Sequence, residues 1–206
     1  MRLLIFAQNR FFMDNTLVAE AEVVAERLFT VEEWLEFEKH SDVRHEFYFG
    51  QLIPMPGEAK DANRIAKNFV KKLDDELLDK GFETFSHDVK AEVLPKGIYR
   101  YPDLIVAPLV DDEHEYIVKH PLLLLEVAST ASAHRDRVKK RKEYHQVAYL
   151  WYYLIVSQDE ISVELHQRNS DGTWDIGYFT EPDDDIALPR LGVSLKVSDL
   201  YARIKF

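Results

Sequence analysis

Leu122-Leu123-Leu124-Leu125-Glu126-Val127-Ala128 is an aliphatic run with a single charge in it. A strand covered on both faces reads this way, whereas a strand with one wet face alternates. The stretch therefore predicts a central strand with elements packed on both sides of its sheet. Upstream, Tyr101-Pro102-Asp103-Leu104-Ile105-Val106-Ala107 repeats the pattern, with an acid opening an apolar run just after a proline. Downstream, Arg135 to Gln146 is helical in pattern, and Tyr149 to Val156 is an apolar, aromatic run that reads as another buried strand. Together these elements predict a single α/β or α+β domain: a mixed β-sheet core flanked by helices.

The remaining elements fit around that core. Thr30-Val31-Glu32-Glu33 is a capping box, followed by Trp34, Leu35 and Phe37, and it starts a short helix. Arg44 to Met55 reads as two strands about Gly50, a hairpin. From Glu58 to Lys80 the apolar residues Ile65, Phe69, Leu73 and Leu77 recur every four positions and Gly81 follows, which predicts a long amphipathic helix. Phe82 to Val93 and Tyr99 to Ala107 read as strands. So do Ile161 to Gln167 and Trp174 to Phe179, joined by the turn Asn169-Ser170-Asp171-Gly172, and a helix begins at Ser198. Residues 1–29 read as an N-terminal extension, with Met13 an alternative start, and 30–206 as the folded domain.

Composition removes whole classes of chemistry. With no cysteine among 206 residues, disulfides, thiolate zinc sites, iron–sulfur clusters and cysteine nucleophiles are excluded together, and any metal must be held by carboxylates or histidines. No G-x-S-x-G elbow, H-E-x-x-H helix or glycine-rich phosphate loop is present. His87, His114, His120, His134 and His166 read as surface or satisfied histidines. No apolar run approaches the ~20 residues that span a bilayer, and the short run Leu3 to Ala7 is broken by Gln8, Asn9 and Arg10, so a cytoplasmic location is expected. The net charge of −11 argues against a protein that coats nucleic acid through its global field. It leaves room for a local basic groove. Two basic clusters qualify, Arg64, Lys67, Lys71 and Lys72, and Arg135, Arg137, Lys139, Lys140, Arg141 and Lys142. As solvated helix faces both would be unremarkable.

The two acids in apolar strands carry the chemical question. A buried carboxylate is costly unless it pairs, binds metal or changes protonation. Asp103 and Glu126 on neighbouring strands would supply oxygen ligands to Mg²⁺ or Mn²⁺. Equally, Asp103 would cap a turn and Glu126 would pair with a basic residue. On the predicted helix, Asp136, Lys140 and Tyr144 fall at i, i+4 and i+8 and share one face. If that face looks toward the carboxylates, an ammonium there would stabilise charge developing on a phosphate under attack.

At this point the chain resembles a known family. Pro102-Asp103, Glu126-Val127-Ala128-Ser129-Thr130, Asp136-x-x-x-Lys140-x-x-x-Tyr144 and Tyr149-Leu150-Trp151 resemble, in order and spacing, the Uma-two family of restriction-endonuclease-like proteins with a PD-(D/E)XK fold. Arg44 to Leu52 is similar to that family's opening hairpin, Asn63-Arg64-Ile65 to the start of its first core helix, and Leu188 to Val193 with Asp199-Leu200-Tyr201 to its ending. The likeness spans roughly residues 30 to 203. It implies Asp103 and Glu126 as metal ligands and Lys140 as the catalytic cation. In the wider superfamily the lysine stands two residues after the Glu, where this chain has Ala128, so the cation is expected from the following helix. Glu46 reads as a metal-side carboxylate or, in preference, as a hairpin surface residue.

The resemblance implies an Mg²⁺- or Mn²⁺-dependent endonuclease hydrolysing DNA phosphodiester bonds. The alternative is a nuclease fold kept as a catalytically silent binding or interaction module. Arg135, Arg137, Lys139, Lys142 and Arg64 are the expected phosphate contacts, and DNA binding is expected to be weak and salt-dependent. No membrane partner is expected. Trp151-Tyr152-Tyr153 reads as core, with a homodimer face as the alternative.

Overall fold

The computed structural model describes residues 27–109, 114–129 and 136–206, the side chains of 75, 136 and 137 excepted. The expected extension thus lies outside the described residues except for 27–29, as does the alternative start at Met13. The chain divides into two compact units, one ending at Met55 and the other beginning at Pro56.

In the first unit, Thr30 accepts a hydrogen bond from the Glu33 amide at 3.2 Å, and the Glu33 carboxylate accepts one from the Thr30 amide at 2.9 Å. This capping box starts α1, Val31–Glu38. Trp34 on α1 is fully buried, and its indole N–H donates to the His45 carbonyl at 2.9 Å. Strands β1, His45–Tyr48, and β2, Gln51–Pro54, form the expected hairpin. Its two-residue loop, Phe49-Gly50, has φ of 46° and 86°. Positive φ at both positions matches the twist of paired strands, which is why glycine is at home there. Glu46 on β1 corrects an expectation: it is only 4% exposed, because β1 is covered on both faces and offers no hairpin surface at that position.

In the second unit, α2, Lys60–Leu78, buries Ile65, Phe69, Leu73 and Leu77 along one stripe, as the four-residue spacing predicts. Two predicted strands are each split in the structure. Phe82 to Val93 becomes β3, Phe82–Ser86, and β4, Lys90–Leu94, which join different sheets; the break falls at His87, whose φ is 63°. Tyr99 to Ala107 becomes β5, Ile98–Arg100, and β6, Leu104–Pro108. Pro102 interrupts that run, since it has no N–H to give to a ladder. Then come β7, Ile117–Val118, β8, Leu123–Ala128, and β9, Tyr152–Ser157. They are followed by β10, Val163–Arg168, β11, Trp174–Phe179, β12, Asp185–Leu188, and β13, Val193–Lys196.

The main sheet has the order β11-β10-β9-β8-β6-β3. Only β8 and β9 in it run parallel, so the chain between them must cross over a face of the sheet. Side chains alternate across a sheet, and this sorts the two faces. Leu104, Val106, Leu123, Leu125, Tyr152, Leu154, Val163 and Leu165 point to one face, where they pack with the α2 stripe, the β12–β13 hairpin and the closing turn α4, Val197–Leu200. Leu124, Glu126, Tyr153, Glu164 and His166 point to the other. That face is crossed by a π-helical turn, Asp136–Lys140, running directly into α3, Arg141–Tyr144. The sequence predicted one regular helix here; the π turn widens its first half, a geometry often found at functional sites.

A buried ion pair ties this crossover to β5. The Arg100 guanidinium donates to both oxygens of Glu143, at 2.9 and 2.8 Å from Nη2, with the two side chains 3% and 9% exposed. Removing one partner strands a buried charge at a cost of about 3–5 kcal/mol, while replacing both by apolar residues is often near neutral. Arg100→Met should therefore lower unfolding free energy in urea by that amount, and Arg100→Met combined with Glu143→Leu should recover most of it. A double variant no more stable than the single one would contradict this role.

Candidate active site

The end of β8 and the start of β6 lie side by side. Leu104 faces Leu125 in the antiparallel register, and the Asp103 amide donates to the Leu125 carbonyl at 3.0 Å, extending the ladder one residue past β6. Asp103 is thereby brought level with Glu126. Its Oδ2 accepts a hydrogen bond from the Val127 amide at 2.6 Å, and its side chain is half-buried.

Glu126 sits deeper, 5% exposed. Its Oε2 lies 2.7 Å from Lys140 Nζ, and its Oε1 accepts from the Tyr144 hydroxyl at 2.6 Å. Lys140 closes the π turn and Tyr144 closes α3, one helical turn apart, so both reach the same carboxylate. Lys140 is 4% exposed and Tyr144 fully buried, its ring edge-on to Tyr153 at 4.9 Å between centroids. By contrast Lys139 and Lys142 are exposed. Helical rotation sends neighbouring positions outward, as expected, and selects Lys140 as the inward cation.

Both sequence-level alternatives for the acids thus find a physical counterpart. Asp103 does cap a backbone amide and Glu126 does pair with a base, yet the two acids also stand level on adjacent strands. Among the described residues no group of three or more histidines, aspartates or glutamates is arranged to hold a metal ion. The oxygen pair is compatible with Mg²⁺, a hard ion that takes one or two carboxylates and fills its other positions with water and phosphate. Each oxygen that receives a hydrogen bond keeps a second lone pair.

Of the other expected site residues, Arg135 and His134 lie outside the described residues, as do the side chains of Asp136 and Arg137. Arg64 is half-buried on α2 and pairs with Asp61. Glu46 belongs to the first unit. Tyr152 and Tyr153 are fully buried, so the aromatic run is core.

Sequence reasoning passed over a polar chain on the same sheet face. Glu164 Oε1 is 2.8 Å from His166 Nε2, and His166 Nδ1 is 3.1 Å from His145 Nε2. Glu164 and His166 are buried, and His145 stacks flat on Trp174 at 4.2 Å. The only signal in the sequence was two polar residues alternating with Val163 and Leu165 on β10. Burial, reinforced by the nearby His166, Arg141 and Arg168, pushes His145 down to about 4. A histidine whose folded pKa is depressed stays neutral while the unfolded chain takes up a proton below about 6.5, so stability is lost as pH falls from about 6.5 toward 4. His145→Gln should flatten the fall in Tm between pH 7 and pH 5 relative to wild type. Equal falls in both proteins would contradict the assignment.

Comparison with known proteins agrees with this architecture. Residues 31–198 match the model of the Uma2 family, described as "Putative restriction endonuclease". The Synechocystis protein sll1609 is 30% identical over 155 residues, covering 74% of this chain and 88% of the relative. Another Synechocystis protein, slr1290, is 27% identical over 176 residues, covering 85% and 92%. A crystal structure from Anabaena variabilis, described as "a putative nuclease belonging to DUF820", superposes with a TM-score of 0.68 at 16% identity, over 84% of this chain and 98% of that one. That likeness carries the fold, a mixed α+β nuclease-like architecture. Matched over most of its length, the chain belongs to the Uma2 family of restriction-endonuclease-like proteins.

Proposed function

We propose that the chain is a metal-dependent endonuclease that hydrolyses DNA phosphodiester bonds in the cytoplasm, with Asp103 and Glu126 as Mg²⁺ or Mn²⁺ ligands and Lys140 as the assisting cation. The observation that carries this reading is the level placement of Asp103, just ahead of β6, and Glu126 on β8, with a buried ammonium 2.7 Å from Glu126. When bound, the ion supplies Lewis-acid stabilisation of the phosphate oxygens. The Val127 amide fixes the Asp103 carboxylate, and the Tyr144 hydroxyl fixes that of Glu126. Lys140 adds fixed positive charge in a site largely closed to water, where it stabilises negative charge gathering on the phosphate. Exposed Lys139 and Lys142, beside it on the same segment, hold DNA by its backbone.

A second reading has its own support. Lys140 and Tyr144 occupy both oxygens of Glu126, and the Val127 amide occupies one of Asp103, so the cluster is satisfied by protein groups alone. Such a cluster would also suit a nuclease fold that binds without cleaving.

A plasmid-nicking assay with Mg²⁺ or Mn²⁺ separates the two. Asp103→Asn keeps an acceptor for the Val127 amide and removes the charge, so it should fold and lose activity by about a hundredfold or more. Lys140→Met should lose activity likewise but also lower stability by about 3–5 kcal/mol, because it leaves the buried Glu126 without its cation, so its Tm is read alongside its nicking rate. Lys139→Ala and Lys142→Ala should weaken DNA association alone. Wild-type protein that binds plasmid but never nicks it would favour the silent module.

A further inference from the structure

We infer that a cleft at the beginning of α2 holds the sugar–phosphate backbone beside the cleavage point; this rests on the nuclease reading above and assigns it a binding track. The cleft has a volume of about 440 Å³ and is lined by Lys60, Arg64, Lys67 and Arg203, with Glu58 and Asn63 between them. Arg64 is engaged by Asp61, and the Glu58 carboxylate accepts from the Asn63 amide at 2.7 Å. Lys60, Lys67 and Arg203 differ. They are exposed, and none has an ion-pair partner among the described residues.

Exposed cations without an ion-pair partner among the described residues also occur singly, as at Lys96 and Lys205, but here three share one concavity. Elsewhere Lys39, Lys72, Lys80 and Lys196 each stand within reach of a carboxylate. Three unpaired cations gathered in one concavity repel each other, and a polyanion relieves that repulsion. The placement is also secured from behind. Asn68, buried on α2, donates to the carbonyls of Leu200 and Ala202 at 2.8 and 3.0 Å, so the tail carrying Arg203 is fastened to the helix.

Topology brings the cleft to the same end of the sheet as the carboxylates. Asp74 on α2 accepts from Thr84 on β3 at 2.8 Å, and Glu58, ahead of the helix, is 3.8 Å from His87, just past the strand. Helix and strand therefore run antiparallel, with the start of α2 at the Ser86 end of β3. Ser86 faces Leu104, and Leu104 faces Leu125, so Asp103 and Glu126 lie at that same end. From β3 to β8 is two strand spacings, roughly 10 Å, or about three nucleotides at 3.4 Å each. A backbone laid over this end of the sheet meets both places. Lysines and an arginine in such a cleft grip phosphates and read no bases, so binding there is independent of sequence.

The test is fluorescence anisotropy with a labelled 20-bp duplex in EDTA, where nothing is cleaved. Lys60→Ala/Lys67→Ala/Arg203→Ala should weaken binding about tenfold or more at 100 mM salt and lower the slope of log affinity against log salt by about 2 to 3. The charge-matched Lys80→Ala/Lys96→Ala/Lys196→Ala control should bind as wild type does. Circular dichroism and Tm establish that each variant is folded. If the cleft variant binds as tightly as the control, the cleft is not the track, and the nuclease reading stands. If wild type does not bind duplex at all, both fall.

Discussion

A carboxylate in the middle of an aliphatic strand has to be neutralised where it stands. Glu126 is 5% exposed on a strand whose other residues pack into the core, and an isolated ion there would cost several kcal/mol. Lys140 and Tyr144 meet that demand, one on each oxygen. Both come from the β8–β9 crossover, so the requirement at Glu126 fixes where this segment lies. Parallel pairing of β8 and β9 obliges the chain to cross a sheet face. The charge decides what the crossing carries, and the Arg100–Glu143 pair anchors its far side to β5.

Much of this was legible beforehand because it follows from periodicity. The four-residue stripe of α2, the Thr30 capping box, the Gly50 hairpin and the aliphatic β8 all declare themselves over short windows, and the structure contains each. The pairing of Asp103 with β8 also follows from local signals, an acid after a proline at the mouth of an apolar run. The two split strands were harder. Phe82 to Val93 is broken by a left-handed backbone at His87, a residue with no strong turn preference, and Pro102 marks a break whose consequence, a change of sheet, depends on partners far away in sequence. Glu46 was misjudged because alternation in a four-residue strand cannot tell a hairpin surface from a covered one. Arg100–Glu143 left no mark and Glu164–His166–His145 only the polar alternation on β10, since Arg100 meets Glu143 and His166 meets His145 through the way the crossover lies on the sheet.

The distribution of charge fits the same picture. A net charge of −11 keeps nucleic acid from most of the surface. On the proposed nuclease reading, attraction then has to be local, and the exposed cations Lys139 and Lys142 on the crossover and Lys60, Lys67 and Arg203 in the cleft belong to elements on opposite faces of the sheet. Such an arrangement favours contact at the end of the sheet, where the carboxylates are. The interior polar chain at His145 belongs instead to stability, through a histidine kept neutral by burial.

The central claim is that Asp103 and Glu126 together hold one divalent cation. Titration of Mn²⁺ into the full chain, followed by electron paramagnetic resonance of the free ion, reads this without any nucleic acid present. The account predicts one bound Mn²⁺ per wild-type chain, displaced by excess Mg²⁺ and lost in Asp103→Asn with the fold unchanged. Binding of equal strength in wild type and Asp103→Asn, or no binding in wild type, would contradict it.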